Sequence, residues 1–381
     1  MANPLIEVQR FGQSIWYDNI RRGILQNGEL RSLVEQDGLL GLTSNPAIFE
    51  KAIAGSADYD AAIRQSVIRE GAERAIDIYE RIAIEDIQMA ADILHPAYVR
   101  TGGRDGYVSL EVSPHLAHDT EATIEEARRL FAAVGRSNLM IKVPATTAGI
   151  PAIRQLISEG INVNVTLLFA VSAYEAVANA YLEGLEQRAA KGLDLHRVAS
   201  VASFFVSRID TLVDQSLEQA AKSANEPKRR QQLLALRGKV AIANAKVAYG
   251  RYQEQVQSRR WRNLADAGAR TQRLLWASTS TKNPNYRKTL YVDELIGPET
   301  VNTIPPETFE EFRQSGRVAL TLPQGGDDAR RTLAELEALG ISLRHATDQL
   351  LVEAVEKFAV PFDQLLGAIE KKRQALVPAW A

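Results

Sequence analysis

"NLMIKVPATTAGIPAIRQLISEGINVNVTLLF", Asn138 to Phe169, holds two short apolar runs with a helical stretch between them. In the first run Leu139, Ile141 and Val143 fall on one face of a strand, and Met140 and Lys142 on the other. Pro144 cannot donate to a ladder, so the strand ends there and Lys142 sits at its C-terminal end. "TTAGIPAIRQLISEG" then spaces its apolar residues as a helix does, and "INVNVTLLF" returns to a strand. Burying an ammonium in such a run is costly unless it is paired or gives up its proton.

The same alternation runs along most of the chain. Candidate strands are "SIWYD" (14–18), "GLLGLTSN" (38–45), "GYVSLEV" (106–112), "NLMIKV" (138–143), "INVNVTLLF" (161–169), "RVASVASFF" (197–205), "RLLWAS" (273–278) and "VNTIP" (301–305). Helix-like stretches such as "TEATIEEARRLFAAV" separate most of them. Eight strands alternating with helices predict an α/β fold, a closed parallel (β/α)8 TIM barrel. A doubly wound open sheet is the competitor. It ranks lower because no glycine fingerprint follows an early strand: "GGRDG" (102–106) precedes one.

The chain of 381 residues has 45% hydrophobic residues, no cysteine and a net charge of −2. That content buries a large core, and the balance offers no strong field for nucleic acid or a membrane surface. Without cysteine there are no disulfides, thiolate metal sites or cysteine nucleophiles. "MANPLIEVQRFGQ" lacks a secretory pattern and no segment approaches a membrane span, so a cytoplasmic location is expected. No low-complexity linker or composition break divides the chain, and 1–381 reads as a single barrel domain.

Two parts exceed a minimal barrel. The segment 206–272, between strands six and seven, reads as a long helical insertion, a pair of long helices with solvated Lys and Arg faces. Residues 306–381 read as a mainly helical C-terminal extension packed on the barrel. "HLAHD" (115–119) has helical ligand spacing, but a metal needs a third ligand, so a solvated loop is expected and no metal or cofactor is assigned.

In a (β/α)8 barrel the chemistry sits where strands end at the C-terminal face. Those ends carry Asp18, Asn45, Glu111, Lys142, Asn164 with Thr166, Ser203 and Ser278. Singly each has a plain explanation: Asp18 as a helix cap, Asn45 as a turn former, Lys142 in an internal salt bridge to Glu111 or Asp18. Seven strands converging on one rim favour a site. A desolvated lysine attacks a carbonyl to form a carbinolamine and then an imine, an electron sink suited to carbon–carbon bond chemistry. Two carboxylates are available for the proton transfers this requires. Arg208, a turn beyond the sixth strand, and the hydroxyls and Lys282 of "ASTSTKNPNYRK" suit a phosphate.

The motifs "WYDNI", "GLTSNPAIF", "VSLEVSPHLAHDT", "NLMIKVPATTAGI", "INVNVTLLF", "VASFFVSRID" and "LLWASTSTKNP", in this order from about Ile15 to Pro306, resemble those of the transaldolase family, in its longer bacterial form. The resemblance implies a class I aldolase-type barrel with its Schiff-base lysine at Lys142. It gives Asp18 the proton transfer and makes Glu111 and Thr166 the holders of a catalytic water. Thr43, Asn45 and Asn164 fall among the substrate-binding groups, Ser203 and Phe205 at pocket positions, and Arg208 at the phosphate. Shorter family members carry "ASFR" where this chain has "ASTSTK", so Ser278, Ser280 and Lys282 stand where a second phosphate arginine would.

The expected activity is transfer of a dihydroxyacetone unit from sedoheptulose 7-phosphate to glyceraldehyde 3-phosphate, giving erythrose 4-phosphate and fructose 6-phosphate, in the non-oxidative pentose phosphate pathway. Sugar phosphates are then the partners. The alternatives are a fructose-6-phosphate-type aldolase with the same lysine, a phosphosugar isomerase, and a barrel that only binds sugar phosphates.

Overall fold

Eight parallel strands follow one another around a closed barrel: β1 (Gln13–Asp18), β2 (Gly41–Thr43), β3 (Tyr107–Glu111), β4 (Leu139–Pro144), β5 (Val163–Leu168), β6 (Ser200–Phe205), β7 (Arg273–Ala277) and β8 (Thr300–Ile304). The structure is a computed structural model and describes residues 3–68 and 74–376. Met1, Ala2 and 377–381, parts of the two terminal stretches read above, lie outside the described residues. Each strand expected from the sequence is present. The second is shorter than its apolar run, because Asn45 leaves the ladder to cap the helix Pro46–Ala54. The barrel closes where Gln13 to Tyr17 of β1 pair with Thr300 to Ile304 of β8.

Strand parity sorts the layers. Leu139, Ile141 and Val143 are fully buried, on the side of β4 that the parity turns toward the helices. Each such side chain stabilises the fold by about 1.5–3 kcal/mol. Met140 and Lys142 share the barrel interior with Ser109 and Asn164, and the Asn164 amide donates to Ser109 Oγ at 3.0 Å. The N-terminal pole is closed by a buried ion pair, Arg273 to Asp105 at 2.8 Å. Asp105 also accepts from Ser14 Oγ at 2.8 Å and from Trp16 Nε1 at 3.2 Å. The polar centre at that end is therefore spent on structure.

The turn after β4 is tight. A Cβ on Gly149 would stand 1.9 Å from the Pro144 carbonyl oxygen, so the helix Gly149–Glu159 begins against the strand end only because glycine is there.

Segment 206–272 holds four helices where a pair was expected: Ser207–Ser223, Pro227–Ala235, Val240–Gln257 and Arg259–Asp266. Pro227 at the first helical turn, Gly238 at φ 68° and the Ser258 cap on Trp261 N at 3.1 Å set the breaks. Two buried carboxylates on the first helix hold the start of the third: Asp214 accepts from Gly238 N at 3.1 Å and Asp210 from Ala241 N at 2.7 Å.

Beyond β8 come the helices Pro306–Ser315, Gly326–Ala338 and Leu343–Leu376. The last runs against the helices Pro46–Ala54, Asp60–Ile68 and Ala75–Arg100. Lys372 anchors it to Asp60 at 2.6 Å, and Asp363 pairs with His115 Nε2 at 2.8 Å. Among the described residues no helix is long and apolar enough to cross a membrane.

Candidate active site

Lys142 is 6% exposed at the C-terminal end of β4, and its Nζ donates to the Ser44 carbonyl at 2.9 Å. Glu111 Oε2 lies 3.4 Å from the same nitrogen, at the long edge of hydrogen-bonding range. The internal ion pair weighed from the sequence therefore exists, but it is loose, and Lys142 still lines a cleft of about 540 Å³ at the barrel mouth. Burial without any partner would be prohibitive for an ammonium; one carbonyl and one distant carboxylate make it tolerable while leaving the amine accessible.

Asp18 ends β1 and accepts from Thr43 Oγ1 at 2.6 Å. Thr43 Oγ1 in turn lies 2.7 Å from Thr303 Oγ1 at the end of β8, a hydroxyl relay that fixes the carboxylate. Burial pushes the Asp18 carboxyl above its ordinary range, while Lys142, then Thr43, then Arg208 pull it back. Glu111 is likewise pushed up by burial, pulled down by Lys142 and pushed up again by Asp18. Two desolvated carboxylates thus share one nearby cation, which favours the charged form of each against burial.

Two non-glycine residues at the rim adopt left-handed backbone. Leu167 has φ 61° where β5 shifts register against β6 between Val165 and Leu168. This bulge directs Thr166 into the cleft, and its buried hydroxyl has no hydrogen-bond partner among the described residues. Ser278, after β7, has φ 56° and lies 3.0 Å, Oγ to Oγ, from Ser207. Strain of order 1–3 kcal/mol at each position is of the kind that functional sites carry.

Arg208 and Lys282 face the cleft from different loops. Neither forms a salt bridge among the described residues. Arg208 lies over the Phe205 ring at 5.2 Å, and Lys282 Nζ donates to Ser280 Oγ at 2.9 Å. Desolvation lowers the pKa of both, and Arg208 lowers that of Lys282 further. Two uncompensated cations on one rim, beside the hydroxyls of Ser278 and Ser280, make a binding surface for an anion.

Of the residues singled out from the sequence, Asp18, Thr43, Asn45, Lys142, Thr166, Ser203, Phe205, Arg208, Ser278, Ser280 and Lys282 border this one cleft. Asn45 does so while its side chain caps Ile48 N at 3.0 Å, so the turn-forming reading and the rim position coexist. Glu111 and Asn164 are not among the residues that line the cleft, though each is paired in register with Lys142, which does. Asn164 is the register partner of Lys142, and its carbonyl oxygen accepts from Ser203 Oγ at 2.7 Å. His115 and His118 are not among the lining residues, and among the described residues no group of three or more metal-ligating side chains comes together.

The sequence reading missed Thr303, the Ser44 carbonyl and Phe358, besides lining residues such as Arg21 and Lys51. Thr303 was within reach, since it stands one residue before the end of β8. The Ser44 carbonyl has no side-chain signal. Phe358 lines the cleft with its ring centroid 5.8 Å from Lys142 Nζ, and it comes from the C-terminal helix, where it reads as one more core position.

A closed (β/α)8 barrel with a buried amine between carboxylates at its C-terminal mouth, and cations on the rim, has the make-up of a class I aldolase-type enzyme. The sequence profile described as Transaldolase/Fructose-6-phosphate aldolase matches residues 15–369, well past Pro306, where the recognisable motifs stop. The chain belongs to this transaldolase/fructose-6-phosphate aldolase family. It is 49% identical over 380 residues to a transaldolase of Trichodesmium erythraeum (strain IMS101), covering 99% of this chain and 100% of that protein. It is 50% identical over 380 residues to transaldolase 2 of Nostoc punctiforme (strain ATCC 29133 / PCC 73102), covering 99% of each. The transaldolase of Thermobifida fusca (strain YX) is 45% identical over 380 residues, with 98% of this chain and 100% of that protein covered.

Proposed function

We propose that the chain transfers a dihydroxyacetone unit between sugar phosphates through an imine on Lys142. Membership of the family, and relatives named transaldolase that match it end to end, support a transferase of the transaldolase kind. The observation that carries the mechanism is the Lys142 amine, buried yet open to the cleft, 2.9 Å from the Ser44 carbonyl and 3.4 Å from Glu111.

Lys142 Nζ adds to the ketone of sedoheptulose 7-phosphate, and the carbinolamine loses water to give an iminium. Glu111 exchanges protons with the water that is lost and later regained, held with the free Thr166 hydroxyl. Asp18 takes the C4 hydroxyl proton, the C3–C4 bond breaks, and erythrose 4-phosphate leaves. Its bonding electrons stay on the three-carbon unit as an enamine. That enamine attacks the aldehyde of glyceraldehyde 3-phosphate, Asp18 returns its proton to the new hydroxyl, and water frees fructose 6-phosphate. Asn45, Asn164 and Ser203 orient the hydroxyls. Arg208, with Ser278, Ser280 and Lys282, holds the phosphate that the ketose donor and the aldose acceptor both carry.

The same reading takes the chain as one barrel domain with 306–381 as its extension, and places it with cytoplasmic sugar-phosphate enzymes of the non-oxidative pentose phosphate pathway. Borohydride reduction in the presence of fructose 6-phosphate, followed by peptide mass mapping, tests it. A stable three-carbon adduct on the peptide containing Lys142 is expected; an adduct on another lysine overturns the site, and none at all overturns the mechanism.

A further inference from the structure

We infer that Phe358, from the C-terminal helix Leu343–Leu376, determines whether the bound three-carbon unit is passed to an acceptor or lost to water. This deepens the imine reading and rests on it. Phe358 is the one lining residue that this helix places in the cleft. Its ring is 8% exposed and lies over Lys142 Nζ at 5.8 Å, on the amine that the sugar carbon would join. The other aromatic of the lining, Phe205, comes from β6, so this cover is an addition to the barrel's own mouth.

The helix is held for the purpose. Lys372 Nζ binds the Ser56 carbonyl at 2.7 Å and Asp60 at 2.6 Å, and His115 holds Asp363 at 2.8 Å. Just before Asp363, Phe362 packs edge-on against Tyr79 at 5.6 Å, one helical turn from Phe358. The ring is thereby fixed in place above the amine.

The chemistry gives such a ring a task. An ammonium and an iminium are both cations and both gain from an aromatic face. The enamine between the two half-reactions is neutral, and its loss consumes one water. A proton is added at the nucleophilic carbon, water adds to the resulting iminium carbon, and the carbinolamine collapses to free dihydroxyacetone and the Lys142 amine. Nothing is oxidised or reduced. An apolar ring over the nitrogen keeps water from delivering that first proton to the enamine carbon while the acceptor enters from the cation-lined side.

The test uses the full chain, with fructose 6-phosphate as donor and erythrose 4-phosphate as acceptor. It measures free dihydroxyacetone against transferred product for the natural protein, Phe358→Ala and Phe358→Leu, with the borohydride adduct on Lys142 read in the same samples. Phe358→Ala is expected to raise the released fraction about tenfold, the adduct still forming. Phe358→Leu, which keeps apolar volume and helix packing, is expected to stay within about twofold of the natural protein. An unchanged released fraction in Phe358→Ala, with adduct present, overturns the inference and leaves the imine reading standing. A Leu variant that releases as much as the Ala variant overturns the cover argument. Absence of the Lys142 adduct from the natural protein overturns the imine reading and this inference with it.

Discussion

Glu111 and Lys142 are register partners on adjacent strands, β3 and β4, and their charged atoms stand 3.4 Å apart inside the barrel mouth. The backbone ladder sets the two Cα atoms side by side, which brings the carboxylate within reach of the amine. In the proposed mechanism a carboxylate in this position exchanges protons at the carbinolamine. Glu111→Gln keeps the shape and removes the exchange. Donor turnover is expected to fall by about 10²–10⁴, with a slower approach to the borohydride adduct on Lys142. Rapid-quench kinetics of adduct formation check this, and an unaltered rate of imine formation would return Glu111 to a purely structural role.

In the proposed mechanism Asp18 acts first as a base, which requires it to be ionised. Burial raises its pKa above the ordinary 3.8, and the acidic limb of kcat/KM for the donor is therefore expected at a pH higher than a solvated aspartate would give. Asp18→Asn removes that limb together with most of the cleavage rate, while ketone capture by Lys142 continues. A pH–rate profile of donor cleavage in both proteins measures it.

Among the described residues Arg208 and Lys282 form no salt bridge, and the proposed mechanism gives them the substrate phosphate. Arg208→Ala is expected to raise KM for phosphorylated substrates about 10–200-fold, consistent with losing one charge-assisted contact of roughly 1.5–3 kcal/mol. Lys282, at the solvent edge, is expected to matter less in the same assay. Equal losses on free erythrose and on erythrose 4-phosphate as acceptors would contradict the assignment.

Asp210 supplies a pH signature in stability. Burial and then Asp214 push its carboxyl from 3.8 to about 7, against the hydrogen bonds from Ala241 N and Tyr291 OH that favour the charged form. The folded state therefore keeps a proton that the unfolded chain releases. The associated stability is complete below about pH 3.8 and is lost as the pH rises through about 7. Asp210→Asn is neutral at every pH, so its denaturation midpoint is expected to change less than that of the natural protein between about pH 5 and 8. Asp214, Tyr286 and Tyr291 surround the same carboxylate, and their presence in both proteins makes the difference specific.

Asp86 is fully buried in the helix Ala75–Arg100, 2.8 Å from Arg22 Nε and 2.9 Å from the Tyr59 hydroxyl. Asp86→Ala strands the buried guanidinium and is expected to cost about 3–5 kcal/mol in chemical denaturation. A loss below about 1 kcal/mol would mean that Glu85, at 2.8 Å on the same arginine, suffices alone.

Local rules in the chain determined the barrel. Period-two runs, a helix after most of them and the proline after "NLMIKV" are enough to place eight strands, because backbone geometry allows few ways to bury such runs. They also determined the rim residues, since the end of a parallel barrel strand is a fixed place in space. Distances along the chain say nothing of what crosses it. That a backbone carbonyl at Ser44 holds the lysine, that a bulge at Leu167 aims Thr166, and that Phe358 reaches Lys142 from some two hundred residues away were decided by tertiary packing. Side chains declare their chemistry in sequence, whereas the partners of a buried one are chosen by whichever elements the fold presses against it.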